Sequence, residues 1–109
     1  MALTYKNAGA ALGTSYATVY TCPPGTKAIV LMAQAANVDG VASADVSAQW
    51  LDNSAADVAT RLVELLTVPA KAAVNLLTGP QVLEAGDQFQ AKASATGDVE
   101  LTLAICEIT

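Results

Sequence analysis

Two short stretches of the chain invite a chemical reading: Gly86-Asp87 and Gly97-Asp98, each opening a run that alternates apolar and polar residues. Their aspartates are either a working site or the punctuation of a sheet. In both pairs the glycine frees the backbone and the aspartate can accept local amide hydrogens, so both read as strand entries held on the outside of the fold. Calcium is the next chemistry to weigh, on Asn37-Val38-Asp39-Gly40. In the register of an EF-hand loop, Asn37 and Asp39 would fall on ligand positions, but Ala35 and Val46 would then occupy the two ends where carboxylates must sit. Turn aspartates are the reading, with no metal expected. Paired carboxylates drawn from Glu64, Glu84, Asp87 or Glu100 would suffice in principle for glycoside hydrolysis. The single tryptophan, Trp50, leaves little for stacking sugar rings, and its place in an apolar alternation makes it a core plug.

What is absent narrows the field further. With no histidine, a Ser-His-Asp triad, a Cys-His pair and a histidine-containing zinc site are all ruled out. Two distant cysteines, Cys22 and Cys106, make neither a four-cysteine metal site nor a disulfide framework; they read as free thiols, with one bridge between them the alternative if the first and last strands are neighbours. Gly25-Thr26-Lys27 lacks the spacing of a phosphate-cradling loop. No catalytic residue and no cofactor is expected, and the chain does not read as an enzyme.

The elements that would carry these residues belong to one domain, residues 1–109. The chain is 53% hydrophobic but only 5% aromatic, which predicts a core of small and aliphatic side chains. A mean hydropathy of +0.42 without a membrane-spanning run implies apolar surface buried elsewhere, as between subunits. The N-terminus lacks the apolar middle of a secretory signal, so no export signal is read there. A net charge of -5, with the five cations scattered, argues against a nucleic-acid groove.

Period and punctuation predict strands. Tyr16 to Cys22 is a β-rich run stopped by Pro23-Pro24-Gly25, since proline donates nothing to a ladder. Lys27 to Val38 is a long, mostly apolar strand, with Ile29, Leu31, Ala33 and Ala35 on one face and Val30, Met32, Gln34 and Ala36 on the other. That pattern predicts a central strand covered on both sides. Val46, Ala48 and Trp50 alternate toward a hairpin turn at Asp52-Asn53-Ser54. Asp57 to Leu66 fits helix and strand periods alike, and Pro69 and its neighbours favour the strand. Shorter strands follow near Ala73 to Leu77 and Gln81 to Leu83, and a closing hairpin pairs Asp87 to Ser94 with Val99 to Glu107. Its polar face, Gln88, Gln90, Lys92, Glu100 and Thr102, is a candidate contact surface. About eight short strands with turn residues at nearly every junction predict an all-β, single antiparallel β-sandwich, jelly-roll-like. Residues 1–15, rich in Gly and Ala, read equally as an arm ordered by a neighbour or as an ordinary first strand.

Four stretches, "TVYTCPPGTKAIVLMAQAANVDG", "ADVSAQWLDNS", "LTVPAKAAVNLL" and "QVLEAGDQFQAKASATGDVELTLAICEIT", together resemble the small β-sandwich structural proteins encoded in virion gene clusters of tailed bacteriophages. The resemblance runs over roughly residues 16 to 109 and rests on the order of its motifs: Pro-Pro-Gly-Thr, a long strand, Asn-Val-Asp-Gly, Val68-Pro69-Ala70, and Leu83-Glu84-Ala85-Gly86-Asp87. It implies a capsid decoration or cement protein, made in the host cytoplasm and placed on the virion capsid surface. The partner it implies is the major capsid protein, bound by a homo-oligomer, a trimer in preference to a dimer, with neither nucleic acid nor membrane involved. Docking is expected at Pro23 and Pro24, at Val38 and Asp39, at Pro69 and Lys71, and along an N-terminal strap containing Ala2, Leu3 and Tyr5. A tail, collar or fibre component and a glycan-binding module are the alternatives.

Overall fold

The computed structural model describes residues 1–109 and contains nine strands and a single short 3-10 turn. Strands β1 (Leu3–Ala11), β2 (Ala17–Thr21), β3 (Lys27–Asn37) and β4 (Ala44–Asp52) run out to that turn at Asn53–Ala55. Strands β5 (Val58–Val68), β6 (Ala73–Asn75), β7 (Gln81–Leu83), β8 (Gln88–Ala93) and β9 (Val99–Ile108) run back. The outgoing and returning halves pair as one long antiparallel ribbon: β1 with β9, β2 with β8, β3 with β6 and β7, β4 with β5. Rolling that ribbon brings β3 against β9 and β4 against β8, which makes two sheets in the orders β1-β9-β3-β6, with β7 also on β3, and β2-β8-β4-β5. This is the jelly roll, with its sixth position divided between β6 and β7.

The turn chemistry explains the hinge of the ribbon. Asp52 accepts from the Ser54 amide (3.1 Å) and hydroxyl (2.7 Å), and Ala56 and Asp57 take left-handed backbone beyond it. Of the stretch Asp57 to Leu66, Asp57 belongs to the turn and the residues from Val58 onward are strand, held in a ladder with β4. Residues 3–11 take the strand alternative, paired with β9 over their full length.

The core lies between the sheets and matches the composition. Phe89, Leu83, Leu101, Leu103, Ile105 and four valines are fully buried, and alanines 28, 33, 35, 44, 48, 91 and 93 fill the space between. Seven of the 23 alanines are therefore interior. Trp50 is only partly buried, packed against this core from β4 rather than plugging it.

Two sequence expectations are corrected. The predicted closing hairpin does not exist: β8 and β9 lie in different sheets, and residues 94–98 cross between them. Phe89, Ala91 and Ala93 still meet Val99, Leu101, Leu103 and Ile105, but across the core instead of along one ladder. Alternation reveals which side of a strand is inward and is blind to which sheet holds it. The long strand β3 is not covered on both sides either. A bulge between Val30 and Met32 shifts its phase, so Ala28 and Val30 and then Ala33, Ala35 and Asn37 point inward. Ile29, Leu31, Met32, Gln34 and Ala36 all turn away from the second sheet.

Candidate functional site

The buried side chains Asp87, Asn37 and Glu107 are occupied with holding the fold, whereas the buried Tyr16 hydroxyl has no hydrogen-bond partner. Asp87 is buried, not external: one carboxylate oxygen accepts from the Asn53 amide (2.9 Å) and the other from the Glu84 amide (2.9 Å). Gly86 beside it has φ +87, and a side chain there would collide with Asn53 at 2.6 Å. A groove of about 610 Å³ opens at this end of the sandwich, lined in part by Lys27, Glu84 and Asp87, but both Asp87 oxygens are already committed to backbone. Asn37 does the equivalent work at the other end, donating to Ala42 and Val68 carbonyls (3.0 Å each) and accepting from the Asp39 amide (3.0 Å). Asp39 in turn accepts from Val41 N–H at 3.2 Å, which makes it a turn residue.

Glu107 joins the sheets. Its carboxylate accepts from the Tyr20 hydroxyl at 2.5 Å and meets the Lys6 ammonium at 3.2 Å. The Tyr20 hydrogen bond, assisted by Lys6, holds the Glu107 carboxyl below its ordinary value against an opposing push from burial. Burial, then the Glu107 bond and charge, push the Tyr20 phenol upward. Burial, with Glu107 and Asp87 nearby, raises the Cys22 thiol, which donates to the Thr26 carbonyl at 3.2 Å. A thiol raised in this way is a poor nucleophile. Cys22 and Cys106 are both free.

The outer faces of the two sheets differ sharply. On the β2-β8-β4-β5 sheet, side chains form a hydrogen-bonded ladder across all four strands. Thr18 donates to Gln88 (2.6 Å), Gln90 to Thr18 (3.1 Å), Gln49 to Gln90 (2.7 Å) and Arg61 to Gln49. Arg61 also pairs with Glu64 at 3.3 Å, and the Tyr16 ring lies under both Arg61 (5.2 Å) and Lys92 (4.8 Å). On the other sheet the strand register aligns mostly apolar residues in rows: Leu3 with Ile108, then Tyr5, Cys106, Ile29 and Val82, then Ala104 and Met32 beside the polar Asn7. Tyr5 (71%), Val82 (55%), Leu3 (51%) and Leu31 (45%) are exposed there. An apolar sheet face of this kind, open to water, marks a surface built to be covered.

Of the residues expected to dock, Leu3 and Tyr5 lie on this face, and Ala2 is bonded to Thr109 in both directions beside it. Pro23 and Pro24 form the sheet-to-sheet crossing at the same end. Val38, Asp39, Pro69 and Lys71 cluster around Asn37 at the opposite end, some 33 Å away along the eleven residues of β3. The candidate polar face of the closing segment is divided: Gln88, Gln90 and Lys92 belong to the ladder, while Glu100 and Thr102 lie on the other sheet. Sequence reasoning missed Ile29, Leu31, Met32 and Val82. A signal was present, because a two-sheet sandwich covers one face of each sheet, so a strand apolar on both faces must expose one.

No protein-family model matches the sequence, and no curated protein matches it. The fold is similar to that of a chain in the solved structure of Bacillus endospore appendages, described there as a novel family of disulfide-linked pili. That similarity has a TM-score of 0.56 at 9% identity and covers 97% of this chain and 84% of that one. It is a likeness of fold.

Proposed function

We propose that this chain is a non-enzymatic structural subunit that works by burying surface within a larger assembly, as a decoration protein on the head of a tailed phage. The observation that carries the reading is the apolar outer face of the β1-β9-β3 sheet, set back to back with a face laced by its own side-chain hydrogen bonds. Such a subunit needs complementary area and no reacting group, and the inward-facing acids Asp87 and Glu107 serve the fold. The order of motifs shared with small virion sandwich proteins supports the head, with the major capsid protein as the partner. The fold shared with a pilus subunit favours a second reading, a self-assembling filament.

Electron microscopy separates the two. Purified protein mixed with expanded heads lacking it is expected to add density over the capsid lattice and to raise the temperature at which the heads rupture. Filaments formed by the protein alone, with heads left bare, would support the second reading and overturn the first. Binding only to tails would overturn both.

A further inference from the structure

The sandwich has four free strand edges, and three of them are blunted. Strands β6 and β7 are three residues each. Strand β2 has five residues and a bulge between Thr18 and Tyr20. Strand β5 is bulged against β4, carries Leu65 at φ 52, and presents the Arg61–Glu64 ion pair. These are the features by which proteins prevent edge-to-edge pairing.

Strand β1 is neither short nor bulged, and Lys6 is its only feature of this kind. It is nine residues long, lacks proline, and keeps an unbroken register against β9. The Ala2–Thr109 pair exchanges both hydrogen bonds, and Leu12 donates to Val99, so the even-numbered residues point their amides and carbonyls at β9. The odd-numbered residues Leu3, Tyr5, Asn7, Gly9 and Ala11 point theirs outward, and all five are exposed. Lys6, the one charge on the strand, stays 43% exposed while its ammonium is paired with Glu107 at 3.2 Å.

We propose that the free edge of β1 pairs with the same edge of a second copy of this chain, antiparallel about a two-fold axis at Asn7. In that register Leu3 lies opposite the partner's Ala11 and Tyr5 opposite the partner's Gly9, while Asn7 meets its own copy. Large side chains then face small ones along the whole edge, and Lys6 faces Ala8 instead of another lysine. All outward groups of the five odd residues find partners, about ten new hydrogen bonds. An aromatic ring opposite an edge glycine also covers the bare backbone there. The pairing closes as a dimer, not the trimer that the virion resemblance implies. It joins two apolar outer faces into one continuous platform. The inference goes beyond the assembly reading, and either can hold without the other.

Light scattering on the purified full chain, free of any head or filament, tests it. The unaltered protein is expected to be a dimer. Asn7→Pro removes an outward amide and leaves the β1–β9 bonds intact, so it is expected to give a folded monomer. On mild oxidation, Asn7→Cys is expected to form a covalent dimer at the axis, whereas Leu3→Cys is not, because its copies lie far apart on opposite sides of the axis. A monomeric unaltered protein, a dimeric Asn7→Pro protein, or Leu3→Cys linking as readily as Asn7→Cys would each overturn the proposal. Should Asn7→Pro fail to fold, the two cysteine variants decide.

Discussion

The two outer faces of this sandwich back onto the same core, yet they differ in chemistry. On one, Thr18, Gln88, Gln90, Gln49 and Arg61 spend their hydrogen-bonding capacity on one another, and Tyr16 lies across two of the cations. On the other, Tyr5, Ile29, Leu31, Met32 and Val82 have no second layer above them. The first face is tied together by its own side chains. The second lies uncovered in the monomer. Polar side chains on a sheet surface therefore need not mark a binding site: here they complete the fold, and the apolar side is the one left open.

This contrast can be broken or sharpened by substitution. The largest effect is expected where the frame holding both faces is cut. Asp87→Ala leaves the Asn53 and Glu84 amides without their charged acceptor and is expected to cost about 3 kcal/mol in urea unfolding. On the finished face, Gln49→Leu strands Gln90 and Arg61 together and is expected to cost about 1 to 2 kcal/mol by the same measurement. Between the sheets, Tyr20→Phe removes the neutral partner of Glu107, a loss of about 1 kcal/mol. Because the folded-state value of Glu107 lies below its ordinary 4.5, its contribution is fully present above that pH and disappears as pH falls through the lower folded value. Glu107→Gln is expected to flatten that part of the acid-unfolding curve. The smallest stability effect is expected on the open face, where Leu31→Ser and Val82→Ser should each stay within about 0.5 kcal/mol of the parent. Those two substitutions should instead weaken association, as read by co-sedimentation with the assembly.

Much of the architecture is legible in the residues. Asp52-Asn53-Ser54 marks the β4–β5 hairpin, Pro23-Pro24-Gly25 ends β2, and Gln81 to Leu83 is a strand with the predicted bounds. The sheet to which a strand belongs is not legible by the same means. The alternation in β8 and β9 looks the same whether the strands pair side by side or oppose each other across a core. Nor does composition reveal that Asp87 is buried, since its partners are backbone amides in a turn and in the 3-10 segment, far apart in sequence. The open face was hidden for a related reason. A bulge at Leu31 changes the phase of β3 midway, so no single alternation runs along the strand.

In the proposed assembly the apolar β1-β9-β3 face is the covered one. A cryo-electron microscopy reconstruction of the protein bound in a particle is the decisive test. Partner density is expected over Tyr5, Ile29, Leu31 and Val82, with the Gln49–Gln90 ladder facing solvent. Density seated on the Gln49–Gln90 face, with Tyr5 and Leu31 left in water, would contradict it.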